Sequence, residues 1–193
     1  MEQWLADFQH RTGKGALFVG GHVGTFHADR VDGVPYVING NSGKTPSTPA
    51  DRGGFTGWTE FGVDPVTPAE ADRARRDPLA EGPRWVDAEV HAHVDQLTLT
   101  APASVAVGVP ARVTATLTQP GGRTVPVAAP VSADWSGSAT VHIGPVAGVR
   151  PWHTAHFDPA TGTLTALRPG APIRLTVTVN NVLAEATVKI TAR

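Results

Sequence analysis

The chain contains no cysteine, which removes disulfides and thiolate metal sites while leaving an exported location open. It also lacks a charge excess. Sixteen Lys and Arg stand against 17 Asp and Glu, a formal net charge of -1, so the strong basic surplus of a general nucleic-acid binder is missing. No apolar run approaches the roughly 20 residues of a membrane-spanning helix. The opening Met-Glu-Gln-Trp-Leu-Ala-Asp has neither the basic start nor the apolar core of a secretory leader. Neither nucleic acid nor a membrane span is therefore expected. What the chain holds in quantity is glycine (21) and proline (17), about one residue in five and above the usual share. With 40% hydrophobic residues, this composition describes a globular, loop-rich, β-leaning chain rather than a disordered one. Its 193 residues suffice for one core burying about 70% of the unfolded surface, or for two small domains.

The pattern changes along the chain. Trp4, Leu5 and Phe8 share one helical face, and Gly13 and Gly15 end that helix. Ala16-Leu17-Phe18-Val19, bounded by Gly20-Gly21, reads as a buried strand. Residues 33–38 and 57–63 read as two more strands, so residues 1–66 look like a piece of a layered α/β or α+β domain. Residues 67–93 read as a connector. Within it Thr67-Pro68-Ala69-Glu70 supplies an N-cap, a proline at the first helical position and an early acid, predicting a short polar helix to about Arg76. Asp77-Pro78 and Glu81-Gly82-Pro83 are expected to break it.

From about Trp85 the apolar residues alternate. Residues 96–100, 111–117, 138–143, 163–167, 173–179 and 186–190 have period-two patterning rich in Thr and Val, punctuated by Gly, Pro, Asn and Asp about every 8–12 residues. That is the pattern of a β-sandwich. Asn180-Asn181 joins the last two strands, and asparagine tolerates the positive φ of a tight hairpin.

Several residues are candidates for chemistry. His22 follows a strand and a Gly-Gly pair, and His27 lies five residues on; a neutral imidazole in such a place can ligate a metal, or bond to backbone as an ordinary loop histidine. Asn39, Asn41 and Ser42 lie in a Gly-rich loop that turn formation explains equally well. Gly40-Asn41-Ser42-Gly43-Lys44-Thr45 lacks the spacing between glycines that a phosphate-cradling loop requires. His91-x-His93 would place two imidazoles on one side of a strand, and His153-x-x-His156 lies beside Trp152; solvated β-face histidines are the plainer reading of both. Trp135 reads as sandwich core. Trp152, flanked by Arg150, Pro151 and His153, reads as a sugar-stacking or packing residue. Arg73, Arg75 and Arg76 beside Asp72 and Asp77 read as a solvated helix face. No nucleophile-elbow context is present.

Two resemblances follow from ordered landmarks. Residues 102–108, the strand 113–117, Ala133-Asp134-Trp135-Ser136-Gly137-Ser138, the run Asp158–Gly170 and the final hairpin resemble a bacterial immunoglobulin-like domain of the intimin/invasin-related kind over residues 94–193, with 144–153 as an inserted loop. The resemblance implies a spacer or adhesive module, secreted or at a bacterial cell surface, with a glycan or protein as partner. Leu17-Phe18-Val19-Gly20-Gly21-His22-Val23-Gly24, then Val34–Gly43 and Trp58–Asp64, resemble the C-terminal end of a calcineurin-like metallophosphoesterase. That family carries Gly-His-x-His at the first of these places; here Gly24 stands where the second histidine would be, and His27 follows three residues later. The upstream Asp-x-His, Gly-Asp-x-x-Asp and Gly-Asn-His ligands do not precede residue 16.

The expected fold is therefore mixed: a short α/β, metallophosphoesterase-like N-terminal fragment (1–66), a connector (67–93) and an all-β immunoglobulin-like sandwich (94–193). The implied protein is a phosphoesterase with a dinuclear divalent metal centre, to which this chain contributes His22 and His27. By itself it is expected to be inactive, its first half docking on the missing N-terminal half or on a second copy.

Overall fold

A computed structural model describes residues 2–41, 43–76 and 85–192. The helix-breaking residues 77–83 and Ser42 lie outside the described residues. The protein is mostly β-strand in several sheets, with two α-helices, and divides into two compact units, Met1–Ala92 and His93–Arg193.

The first unit opens with helix α1 (Glu2–Thr12). Its buried residue is not one of the predicted apolar trio but Gln9; Trp4 remains 62% exposed and stacks on Phe8. Gln9 can be buried because both ends of its amide are used. Its Nε2 donates to the Gly33 carbonyl (3.2 Å), and its Oε1 accepts from the Ala16 amide (3.2 Å). Strand β1 (Phe18–Gly20) pairs in parallel with β3 (Val34–Ile38), which pairs antiparallel with β2 (His27–Val31), giving the order β1-β3-β2. The run expected as a buried strand is thus an edge strand, and Val19 is half exposed because β1 has a neighbour on one side only.

Strand β2 was not predicted. It exists because Asp32 (φ 49°) and Gly33 (φ 75°) both take the left-handed conformation of a two-residue hairpin, pairing Val31 with Val34. Strand β4 (Gly57–Val63) pairs antiparallel with β5 (Val86–Ala92), so the connector region contributes a strand to this unit. It also contributes α2 (Pro68–Arg76). There Thr67 accepts from the Glu70 amide through its hydroxyl (3.3 Å), and the Glu70 carboxylate accepts from the Thr67 amide (3.0 Å): a reciprocal cap. Helix α2 packs on α1, where His10 Nδ1 lies 3.0 Å from the Ala74 carbonyl. Stacked Phe26 and Phe55 (4.8 Å, 14°), both essentially inaccessible, lie in the core with Val34, Val37 and Val90.

The second unit runs through β6 (Gln96–Thr100), β7 (Ser104–Ala106), β8 (Pro110–Arg112), β9 (Thr114–Thr118), β10 (Thr124–Pro126), β11 (Asp134–Gly137) and β12 (Val141–Ile143). It continues through β13 (Ala155–Asp158), β14 (Thr163–Ala166), β15 (Ile173–Val179) and β16 (Val182–Thr191). Sheets of order β11-β15-β16-β7 and β12-β13-β14-β8 supply the two sides of a core of Ile173, Leu175 and Val188 against Ala155, Phe157, Leu164 and Ala166. A third sheet has the order β10-β9-β6. Packed faces of alternating strands make a β-sandwich, as the period-two pattern requires. Trp135 is half-buried against this core, its ring 4.8 Å from Phe157. Asn180 (φ 48°) and Asn181 (φ 66°) make the β15–β16 hairpin.

Candidate functional site

In the first unit, topology gathers the sequence candidates at one sheet edge. Because β1 and β3 are parallel, the chain leaves both strands at the same end: Gly20 pairs with Ile38, and the Asn39 amide donates to the Gly20 carbonyl (2.9 Å). Strand β2 runs the other way, so its first residue, His27, also pairs with Ile38. Residues 20–22, 27 and 38–41 therefore share an edge. The carboxyl ends of parallel strands are where open sheets place ligands, because the exiting loops diverge there.

The loops at this edge are specifically built. His22 is exposed and takes φ 76°, a conformation uncommon for a non-glycine residue; its carbonyl lies 3.4 Å from Lys44 Nζ. Gly24 (φ 69°) has no room for a Cβ, which would meet the Ser47 hydroxyl and crowd the Asn41 amide at 3.2 Å. Asn41 is 95% buried (5% exposed). Its carbonyl accepts from the Gly57 amide (2.8 Å), yet its Nδ2 has no partner among the described residues. Asn39 Oδ1 accepts from the Thr59 hydroxyl (3.2 Å). His27 is exposed on β2.

A dinuclear centre needs several carboxylate, Asn and His donors around two ions. Among the described residues, no three His, Asp or Glu side chains are placed to hold a metal. His22 and His27 offer two imidazoles at most, so the residues present do not fit such a centre by themselves.

Elsewhere in this unit, His91 stacks on Trp58 (5.2 Å, 16°) on one face of the β4–β5 pair. Its Nε2 lies 3.5 Å from Glu60 and 3.4 Å from Glu89, within ion-pair range but without hydrogen-bond geometry. His93 lies beyond the end of β5, so the two histidines of His91-x-His93 are not strand neighbours. Arg75 pairs with Asp72 and donates to the Thr12 carbonyl (3.2 Å), whereas Arg73 and Arg76 are exposed.

In the second unit the fold assembles a cluster that sequence reasoning saw only in part. His142 on β12 is the register partner of His156 on β13, and their rings lie 5.6 Å apart at 20°. His153 reaches His142 from the preceding loop (5.2 Å), and Trp152 touches His153 (5.5 Å). His142 escaped notice because it is eleven residues from His153. Its alternation with core Val141 and Ile143 was the available signal that it faces outward. Half-burial, together with the neighbouring imidazole of His142 and the charges of Arg150 and Arg168, holds the His153 imidazole below the ordinary histidine range.

No protein-family model matches this sequence, and no curated protein matches it significantly.

Proposed function

We propose that residues 1–66 are the C-terminal part of a calcineurin-like metallophosphoesterase domain in an exported protein. In this reading residues 94–193 form an accessory immunoglobulin-like module. The observation that carries it is the shared edge: two parallel strands whose carboxyl ends bring Gly20-Gly21-His22 beside Asn39-Gly40, with His27 at the same end of β2. The left-handed His22 supports the reading, since such backbone costs about 1–3 kcal/mol and concentrates at functional loops. The shortage of ligands defines the role. This chain contributes one rim of a phosphoester site, and the remaining donors come from polypeptide outside these residues. Alone it neither holds a metal pair nor turns over substrate.

Calorimetric titration with Mn²⁺ and Zn²⁺, alongside hydrolysis of bis(p-nitrophenyl) phosphate, tests this. The chain alone should show neither stoichiometric binding nor turnover. Extended in frame with the upstream phosphoesterase half, it should show both, and His22→Ala should remove them. Metal-dependent hydrolysis by the chain alone, or no metal uptake by the extended polypeptide, overturns the proposal.

A second reading, a non-catalytic surface or glycan- or protein-binding module, is favoured by the 64% exposure of Trp152. In this reading the whole chain, residues 1–66 included, is non-catalytic, so it stands as the alternative to the phosphoesterase assignment.

A further inference from the structure

The ring contacts on the second unit form a continuous row: Trp152 to His153 at 5.5 Å, His153 to His142 at 5.2 Å, His142 to His156 at 5.6 Å. The row is rigidly mounted. His142 and His156 are held by strand register, and Gly148 is required beside His142, because a Cβ there would collide with the imidazole. His153 is held twice, its ring by the Arg150 amide (2.8 Å) and its carbonyl by Arg168 Nε (2.9 Å) and Nη2 (2.8 Å). Trp152 lies against this framework with most of its surface open.

Backbone partners assign the protons. A carbonyl only accepts, so His142 Nε2, 2.8 Å from the Pro145 oxygen, carries its hydrogen, and so does His156 Nε2, 2.6 Å from the Gly144 oxygen. In the neutral rings each Nδ1 keeps a lone pair. His153 is the reverse: its Nδ1 accepts from the Arg150 amide, so its Nε2 carries the hydrogen. None of these second nitrogens is both buried and unpartnered. The row therefore presents two acceptors and one donor beside an aromatic face. A three-histidine metal site would need three lone pairs, and the Arg150–His153 bond withholds one.

Charge narrows the chemistry. Arg150 is exposed, and Arg168 spends two of its five donors on His153, leaving cationic N–H groups beside the row. The carboxylate of β13 is occupied: Asp158 accepts from the Ala160 amide (3.0 Å) and the Thr161 hydroxyl (2.9 Å). We infer that this row binds a carboxylated glycan, with Trp152 stacking on a sugar face, the imidazole nitrogens meeting hydroxyls that both donate and accept, and Arg150 with Arg168 pairing the carboxylate. The depressed basicity of His153 keeps that ring neutral at neutral pH, preserving its donor and acceptor sides. Nucleic acid fits less well, since two arginines on a chain of net charge -1 give little counterion release.

The inference deepens and rests on the binding role in that second reading, and does not depend on whether residues 1–66 are catalytic. Calorimetry of the full chain with tetragalacturonate and 3′-sialyllactose, against neutral cellotetraose and lactose, tests it. At least one acidic probe should bind saturably, the neutral probes at least tenfold more weakly. Trp152→Ala should weaken binding at least tenfold with an unchanged unfolding midpoint. Arg150→Gln should weaken it and flatten its salt dependence. Absence of saturable binding by both acidic probes, equal binding of neutral probes, or indifference to Trp152→Ala would each overturn the inference. The metal and hydrolysis assays read neither outcome, so the two proposals fail separately.

Discussion

The two units satisfy their interiors differently. Four buried side-chain polar atoms have no hydrogen-bond partner among the described residues: Tyr36 Oη, Asn41 Nδ2, Trp85 Nε1 and His91 Nε2, the last facing two carboxylates outside hydrogen-bond geometry. All four belong to the first unit. The second unit carries none among its described residues, and its buried Gln119 donates to the His93 carbonyl (3.0 Å). An unmet buried group costs about 1–3 kcal/mol, so the first unit bears a penalty the sandwich avoids. The contrast extends to the sheets. Both units have short edge strands in parallel pairs (β1 in the first, β7 and β12 in the second), but those of the second unit border sheets that close over one apolar core.

The largest consequence concerns independence. Residues 93–193 expressed alone should unfold cooperatively, while residues 1–92 alone should exchange amide hydrogens rapidly across 16–20. Slow exchange there in a dilute monomer would erase the contrast. Next in size, Phe157→Ala should lower the sandwich's stability by about 3–5 kcal/mol in urea denaturation and leave the first unit's transition in place. A single shared transition would mean the units unfold as one. Smaller again, Gly24→Ala should cost the first unit about 1–2 kcal/mol, because φ 69° disfavours a Cβ. Thr67→Ala should cost it about 1 kcal/mol through the lost cap; an unchanged midpoint would show that α2 does not share in that unit's stability.

The subtlest difference is in pH. His153 in the sandwich titrates below its ordinary range, so its contribution is present above about pH 6.5 and lost as pH falls toward its folded value, where the unfolded chain takes the proton first. His153→Gln should flatten that acid limb. Tyr36 in the first unit is raised, by desolvation and then by Glu2 and Asp32, so its contribution is present below about pH 10 and lost as pH rises through the folded value. Acid should therefore strain the second unit and alkali the first. Tyr36→Phe, which also removes the unpartnered hydroxyl, should abolish the alkaline effect.

Much of this was legible residue by residue. The cap at Thr67, the Asn180-Asn181 hairpin and most of the alternating strands follow from local rules, because capping, turn conformation and side-chain period depend on neighbours a few positions away. The run 111–117, however, divides at Val113 between β8 and β9 in different sheets, and of 138–143 only Val141–Ile143 is strand. The Asp32-Gly33 turn obeys the same rules, and it is this turn that makes β2 and places His27 on a strand. Trp4 and Phe8 do share a face of α1, but which face is buried is decided by what lies opposite, and Gln9 has both of its amide partners there.

Local chemistry therefore specified most of the segments that are strand, helix or turn, and that cysteine and excess charge have no part in this protein. It could not specify convergence. His22, His27 and Asn39 reach one edge because β1 and β3 run parallel, and His142, His153 and His156 form a row because β12 and β13 pair in register. Pairing partner and register are long-range choices, set by which apolar faces bury together rather than by any residue's immediate neighbours.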